Sequence, residues 1–177
     1  VIANALAKTE YGAYAVVMGI NVVVVMALDL GMTSSLARFV AQGKANTRLV
    51  VTVAIARFAV MGVAALVVLA SPLVPGVDGG EIAPLLPMLA LLVVAQGLLT
   101  FHFGALPSLR RIRLLLLVTV LQPAGELGLV LFVRAREGDA GDMLLATAGS
   151  GLVVSLLAWV LLLAPGRAAA AEVPDAA

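Results

Sequence analysis

Apolar residues dominate five stretches of about twenty residues each, and short segments between them carry most of the charges. The hydrocarbon core of a bilayer is about 30 Å thick, and a helix of about twenty residues spans it. Backbone polar groups must be paired in lipid, so only helices and closed barrels cross a membrane. The stretches are continuously apolar, without the alternation of barrel strands. The pattern predicts an all-α, polytopic transmembrane helical bundle with full spans at residues 14–36, 49–70, 82–103, 114–133 and 143–163.

The two ends of the chain differ from these spans. Residues 1–7 are apolar but cover only about 10 Å as a helix, so we interpret them as the end of a first transmembrane helix whose beginning is missing. The other interpretation is an alternative start codon followed by an interfacial turn. Residues 1–164 then form one transmembrane lobe. Residues 165–177 are rich in Ala and Pro, which predicts a cytoplasmic linker or tail.

Composition agrees with a membrane protein and argues against several other classes. Hydrophobic residues make up 63% of the chain and charged residues 12%. A net charge of +1 provides no basic surplus for nucleic acid. The chain has no Cys and a single His, His102, which leaves little for a metal centre, and we predict no cofactor. No paired-carboxylate, His-cluster or nucleophile motif is visible, so we do not predict an enzyme.

Lys and Arg residues are distributed unequally between the two sets of loops. Seven lie in segments that follow the first, third and fifth spans, whereas three lie in the other loops. Cytoplasmic loops carry the Lys/Arg excess, and acidic residues contribute little to this bias. We therefore predict that segments 42–48 and 104–113 and the C-terminal tail are cytoplasmic. The seven are Arg38, Lys44, Arg48, Arg110, Arg111, Arg113 and Arg167, and the three are Lys8, Arg134 and Arg136.

Asp29 and Arg57 lie inside predicted spans, where an ionisable side chain costs at least about 2.5–3.5 kcal/mol. Asp29 lies nine residues before Arg38, and Arg57 lies nine residues after Arg48. Each is about 13 Å along its helix from a cytoplasmic charge, so the two should have similar depths in an antiparallel hairpin. Two interpretations, which are compatible, follow: a structural ion pair that fixes the hairpin, and a polar cavity in which Arg57 contacts an anionic substrate.

Glu126 is an isolated carboxylate in the span 114–133. It lies thirteen residues after Arg113, about 20 Å along the helix, which predicts the outer half of the membrane without a basic partner at that depth. Such a group takes up a proton or meets water, so Glu126 is the candidate for proton or cation coupling. A hydrogen-bonded, protonated Glu is the alternative. His102 is predicted at the cytoplasmic interface beside Phe101 and Phe103, where solvation is its simplest role.

Two short motifs occur near the start of the chain, EYGAYA at residues 10–15 and DLGMTSSLARF at residues 29–39. Together they resemble the N-terminal signature of polysaccharide flippases of the multidrug/oligosaccharidyl-lipid/polysaccharide superfamily. In that family a Gly-x-Tyr-Gly-type turn opens the second helix, which ends in Asp-Leu-Gly, small residues and then Arg-Phe. The segments 101–113 and 134–142 also fit the family's cytoplasmic turn before helix five and outer loop before helix six. Asp29 corresponds to the Asp of Asp-Leu-Gly, and the resemblance implies that it positions the cytoplasmic helix end.

The resemblance implies two six-helix lobes that rock about a central cavity in the bacterial cytoplasmic membrane. The implied cargo is an undecaprenyl-diphosphate-linked oligosaccharide, moved between the lipid leaflets for surface polysaccharide assembly. Arg57 would offer a cation to the diphosphate, and Arg38 would make first contact at the cytoplasmic mouth. This chain supplies only the N-terminal lobe, so we expect either a fragment, which we favour, or assembly of two copies in place of the missing C-terminal lobe. Membrane lipid is the other expected partner.

Other classes stay open at this point. A drug or cation antiporter of the same superfamily would share the fold and use Glu126 for coupling, but the local motifs favour the polysaccharide branch. A membrane enzyme that acts on lipid-linked sugars would need clustered catalytic groups. A non-transporting membrane scaffold is a further alternative.

Overall fold

The structure, a computed structural model, describes residues 6–29, 31–42, 47–73, 80–109 and 111–163. Within these ranges the chain forms helices and turns and no strand. Five of the six α-helices are long and apolar enough to cross a membrane, which confirms the predicted all-α transmembrane bundle. The helices are α1 Lys8–Ala27, α2 Met32–Ala41, α3 Thr47–Ala70, α4 Leu86–Ser108, α5 Ile112–Ala135 and α6 Ala140–Leu163, with 3₁₀ turns at Ser71–Leu73 and Gly80–Leu85.

Helix α4 lies at the centre of the bundle and packs against each of the other five helices. Its sequence is apolar on every side, as expected of a helix surrounded by others. Small residues bring two neighbours close, because a missing side chain lets helix axes approach. A Cβ atom at Gly97 would lie 2.6 Å from the side chain of Met61 on α3, and one at Gly151 on α6 would lie 3.6 Å from Ala95.

Helix α5 lies at the periphery and packs mainly on α6. Only Val118 and Val130 are buried along it, so most of its surface is available to lipid. Helices α1, α4 and α6 all have their first turns at one end of the bundle, where Thr9, Leu85 and Ala140 line a common cavity. The Lys/Arg bias predicts that this end faces outward, and we call it the predicted outer end.

The prediction of one continuous helix over residues 14–36 is wrong. Helix α1 already begins at Lys8 and ends at Ala27, and α2 begins at Met32. Gly31 between them has φ +68°, a backbone conformation that glycine adopts without the steric cost of a Cβ. The apolar run predicted the length of the span but could not show this break, because a hydropathy pattern does not register backbone dihedral angles.

Candidate functional site

The break between α1 and α2 contains the first of two polar sites, which we call the Arg57 site (Leu28, Asp29 and Arg57). The guanidinium Nη1 of Arg57 donates to Asp29 Oδ1 at 2.7 Å and to the carbonyl oxygen of Leu28 at 3.2 Å. Leu28 immediately follows α1, where carbonyl groups lack partners within the helix. Arg57 therefore joins α3 to the end of α1 by one ion pair and one cap-like hydrogen bond.

Arg57 and Asp29 differ in their access to solvent. The side chain of Arg57 is 1% exposed, whereas that of Asp29 is 31% exposed. Arg57 belongs to the buried stripe of α3 that also contains Ala54 and Met61, at the spacing of one helix face. The structure therefore brings together two of the residues that the sequence singled out, with the cation inside and the carboxylate nearer the surface.

The second edge of the Arg57 guanidinium meets no hydrogen-bond acceptor among the described residues. Nε and Nη2 are buried and have no hydrogen-bond partner within the described ranges. These two nitrogens lie on the same edge of the planar group, so their N–H bonds point in one direction, as in a paired contact to a carboxylate or phosphate. Buried donors without acceptors are unusual in proteins. The arrangement leaves a two-pronged anion-binding edge inside the bundle.

Arg38 does not join this site in the described contacts. It lies exposed in the last turn of α2, beyond the break that separates α2 from Asp29. Because α2 is a separate helix, Arg38 does not continue the axis of α1 as the sequence had suggested. The two candidate arginines therefore differ in access: Arg57 is a buried cation, and Arg38 is an exposed one.

The second polar site, the Glu126 site, joins three helices through Glu126, Gln122, Thr147 and Tyr14. Gln122 Nε2 donates to Glu126 Oε2 at 2.8 Å, one turn away on α5. Thr147 Oγ1 on α6 lies 3.2 Å from Glu126 Oε1, and the side chain of Tyr14 on α1 interacts with that of Thr147. The only salt bridge among the described residues is that of Arg57 with Asp29.

Sequence reasoning missed the partners of Glu126. Gln122 could have been found, because residues four apart meet on one face of a helix. Thr147 and Tyr14 carried no such signal, since their contact depends on how α1, α5 and α6 pack. Groups of three or more side chains suited to a metal ion are absent from the described part of the chain.

The side chain of His102 lies in the interior, so the predicted solvation of this residue is wrong. Its side chain is 1% exposed, and Nδ1 is 2.8 Å from the carbonyl oxygen of Leu98. Its ring meets Phe101 and Trp159 edge-on, and those two rings stack with centroids 5.9 Å apart. The central position of α4 explains the burial, because helices cover every side of it.

Spanning helices that hold a buried arginine paired with Asp29 and a half-buried carboxylate, Glu126, define a multi-pass helical membrane protein. The chain belongs to the family described as polysaccharide biosynthesis protein, whose model it matches over residues 1–168. This match confirms the resemblance that the motifs at residues 10–15 and 29–39 indicated. The chain is thus a membrane protein of polysaccharide synthesis. No curated protein and no solved structure matched it.

Proposed function

We propose that this chain forms one lobe of a flippase in the bacterial cytoplasmic membrane. Its cargo would be an undecaprenyl-diphosphate-linked oligosaccharide, carried from the cytoplasmic to the outer leaflet for surface polysaccharide assembly. The observation that carries the proposal is the free Nε–Nη2 edge of Arg57, a buried cation with two unpartnered donors within the described residues. Such an edge suits the phosphate oxygens of an anionic, lipid-borne intermediate that enters the bundle.

The diphosphate would meet Arg57 without disturbing the ion pair. Nη1 stays with Asp29 and Leu28, which hold the guanidinium plane, while Nε and Nη2 donate to two phosphate oxygens. A preoriented arginine loses less side-chain entropy on binding than a mobile one. Asp29 is therefore a positioning residue, and its partial exposure marks the side from which the head group arrives. Arg38, exposed on α2, would attract the head group before it reaches Arg57.

Glu126 is proposed as the group that couples transport to a proton or cation. Its two oxygens accept hydrogen bonds from neutral side chains, Gln122 and Thr147. Neutral donors stabilise a carboxylate without cancelling its charge, so a proton or a small cation would complete the site. Coupling requires a group whose charge changes during the cycle, and Glu126 meets that requirement better than Asp29, which already holds Arg57.

A complete transport path needs a second wall opposite this lobe. We propose that a C-terminal lobe or a second copy of the chain supplies it, so that the head group lies between two lobes. The proposed activity is non-enzymatic, since moving a lipid between leaflets breaks no covalent bond. An antiporter of the same superfamily is the second candidate. The Glu126 site favours it, and it would require no diphosphate recognition by Arg57.

Binding of a polyprenyl diphosphate to the purified chain in micelles tests the role of Arg57. The ligand series is polyprenyl diphosphate, monophosphate and alcohol, and the signal is the fluorescence of Trp159, the only tryptophan. Losing a hydrogen bond to a charged group costs about 1.5–3 kcal/mol, which is about 10- to 100-fold in Kd. Arg57→Ala should weaken diphosphate binding by about that factor, and Arg57→Lys by less.

Arg48→Ala is the matched control, because Arg48 is an exposed cation on the same helix. It should change Kd by less than twofold. Equal binding of the diphosphate by the Arg57→Ala chain and the unaltered chain would exclude Arg57 from the head-group site. In a flippase-deleted host that supplies the second lobe, surface polysaccharide should fall severely with Arg57→Ala and partly with Arg57→Lys, at equal protein levels by immunoblot.

A further inference from the structure

A cavity of about 340 Å³ opens at the predicted outer end of the bundle. It lies where the first turns of α1 and α6 meet the 3₁₀ turn before α4. Its carboxylates are already engaged in local hydrogen bonds, Glu10 with the N–H of Ala7 and Asp139 with the N–H of Asp142. The wall consists of Thr9, Glu10, Ala13, Pro84, Leu85, Asp139, Ala140 and Gly141.

Tyr14 follows a residue of the cavity wall and contacts a residue of the Glu126 site. It directly follows Ala13 of the cavity wall, is 8% exposed, and belongs to the same buried apolar cluster as Ala140 and Met143. Its side chain nevertheless interacts with Thr147, seven residues and about 10 Å along α6 from Ala140. The buried side chain of Tyr14 therefore links α1, one residue beyond the cavity wall, to the hydroxyl that contacts Glu126, whose own side chain is half-buried.

The hydroxyl group of Thr147 lies near two acceptor oxygens but has only one hydrogen to donate. Its Oγ1 lies 3.2 Å from Glu126 Oε1 and 3.2 Å from the carbonyl oxygen of Met143, but a hydroxyl carries one hydrogen. With an ionised Glu126 the hydrogen is directed to Oε1. With a protonated Glu126, whose own O–H can donate to Oγ1, it turns to Met143. Both acceptors lie within hydrogen-bond distance of Oγ1, so a rotation of this hydroxyl can accompany a change at Glu126.

We propose that the cavity is the entrance of a water path to Glu126, and that the ring of Tyr14 is its gate. The ligand is a hydrated proton, which is transferred from water to Glu126 Oε1 and leaves a neutral carboxyl group. The titratable side chains along the route are Glu10, Tyr11 and Tyr14 on α1 and Asp139 and Asp142 at the start of α6. The role of this path in coupling rests on the proposed function, whereas the existence of the path does not.

Thiol modification in a chain that has no native cysteine measures the path directly. Thr147→Cys and, separately, Glu126→Cys report access in detergent micelles, with a cationic methanethiosulfonate as reagent and intact mass as readout. Removal of the ring by Tyr14→Ala should raise the modification rate at least tenfold. Tyr14→Phe, which keeps the ring and loses the hydroxyl, should leave the rate within twofold. The assay involves no transport, so a failed flippase proposal would not affect its result.

Three further variants complete the test. Tyr11→Ala is the matched control, because Tyr11 is an exposed tyrosine three residues away on α1, and it should leave the rate unchanged. Ala13→Trp fills the cavity and should reverse the acceleration by Tyr14→Ala. If Tyr14→Ala does not fold, Tyr14→Leu replaces it, with a smaller but measurable acceleration. Three results would each overturn the proposal. They are an unchanged modification rate in Tyr14→Ala (or in Tyr14→Leu, if that variant replaces it), a faster rate in Tyr14→Phe, and a rate that stays high when Ala13→Trp is added to the Tyr14 variant.

Discussion

The Arg57 site and the Glu126 site each place one carboxylate inside a spanning helix bundle, but they compensate its charge differently. Asp29 faces a full positive charge at 2.7 Å. Glu126 receives hydrogen bonds from an amide and a hydroxyl, both neutral. The first site also fixes backbone, because Arg57 binds the carbonyl oxygen of Leu28 at the end of α1. The second connects side chains of three helices and fixes no helix end.

Under the proposed function, the difference separates a structural charge from an adjustable one. Removing either member of an ion pair leaves the other uncompensated, so the Arg57 site resists any change of charge. We expect the Glu126 site to lose little when a neutral side chain replaces this carboxylate, since the Thr147 hydroxyl also lies 3.2 Å from the carbonyl oxygen of Met143. A transporter can use both kinds of site, one to hold a cation ready for its cargo and one to change charge during the cycle.

The largest expected effect concerns which end of the bundle carries each site. A cysteine at Gln42, exposed after α2, should remain unlabelled by an impermeant maleimide in intact cells, while one at Ala135, exposed at the end of α5, should be labelled. The reason is the Lys/Arg excess near Gln42. Permeabilised cells, in which both positions should react, provide the control. The reverse labelling pattern would exchange the inner and outer assignments of the two sites.

Asp29→Ala should be the most destabilising change at either site. It leaves the 1% exposed guanidinium of Arg57 without its carboxylate, at a cost of about 3 kcal/mol. Arg57→Met removes the charge at similar volume and leaves the partly exposed Asp29, at a cost of about 1 kcal/mol. The measurement is the free energy of unfolding by SDS titration in mixed micelles.

The double variant Asp29→Asn with Arg57→Gln tests whether the pair acts as a unit. Its loss of stability should be smaller than the summed losses of Asp29→Asn alone and Arg57→Gln alone, because the double variant leaves no unpaired charge. Strictly additive losses would show that the contact contributes nothing to folding.

Glu126 should tolerate neutralisation in a way that Asp29 does not. Glu126→Gln keeps an acceptor oxygen and should change the unfolding free energy by less than about 1 kcal/mol. Glu126→Ala removes the acceptor of Gln122 and Thr147 and should cost about 1–2 kcal/mol. The same SDS titration measures both, with Thr119→Val, an exposed polar position on α5, as control. A larger loss for Glu126→Gln than for Asp29→Ala would remove the contrast between the sites.

The smallest expected effects separate the helix break from the rest of α1. Gly31→Ala places a Cβ at φ +68° and should cost about 1 kcal/mol. Gly19→Ala lies within α1 with no atom within 4 Å of the added Cβ, so it should stabilise the helix by about 0.5 kcal/mol. Effects of the same sign at both positions, in parallel SDS titrations, would show that the backbone at Gly31 is not specially constrained.

Much of the Arg57 site was accessible from the sequence, whereas the Glu126 site was not. Asp29 and Arg57 could be matched because a hairpin of two helices converts residue number into depth through a fixed rise per residue. Glu126 has partners on α6 and α1, which are far away in sequence, and no count along one helix relates them. His102 shows the same limit, since its burial depends on the helices that surround α4.

The sequence by itself determined the helical class, the number and approximate place of the spans and the family, because lipid imposes length and apolarity on every crossing segment. Only the tertiary structure decided where the first span breaks, which edge of Arg57 stays free, and which hydroxyls meet Glu126. Apolar stretches of similar composition can pack in many rotations and registers. Side-chain packing and a few polar contacts select one of them.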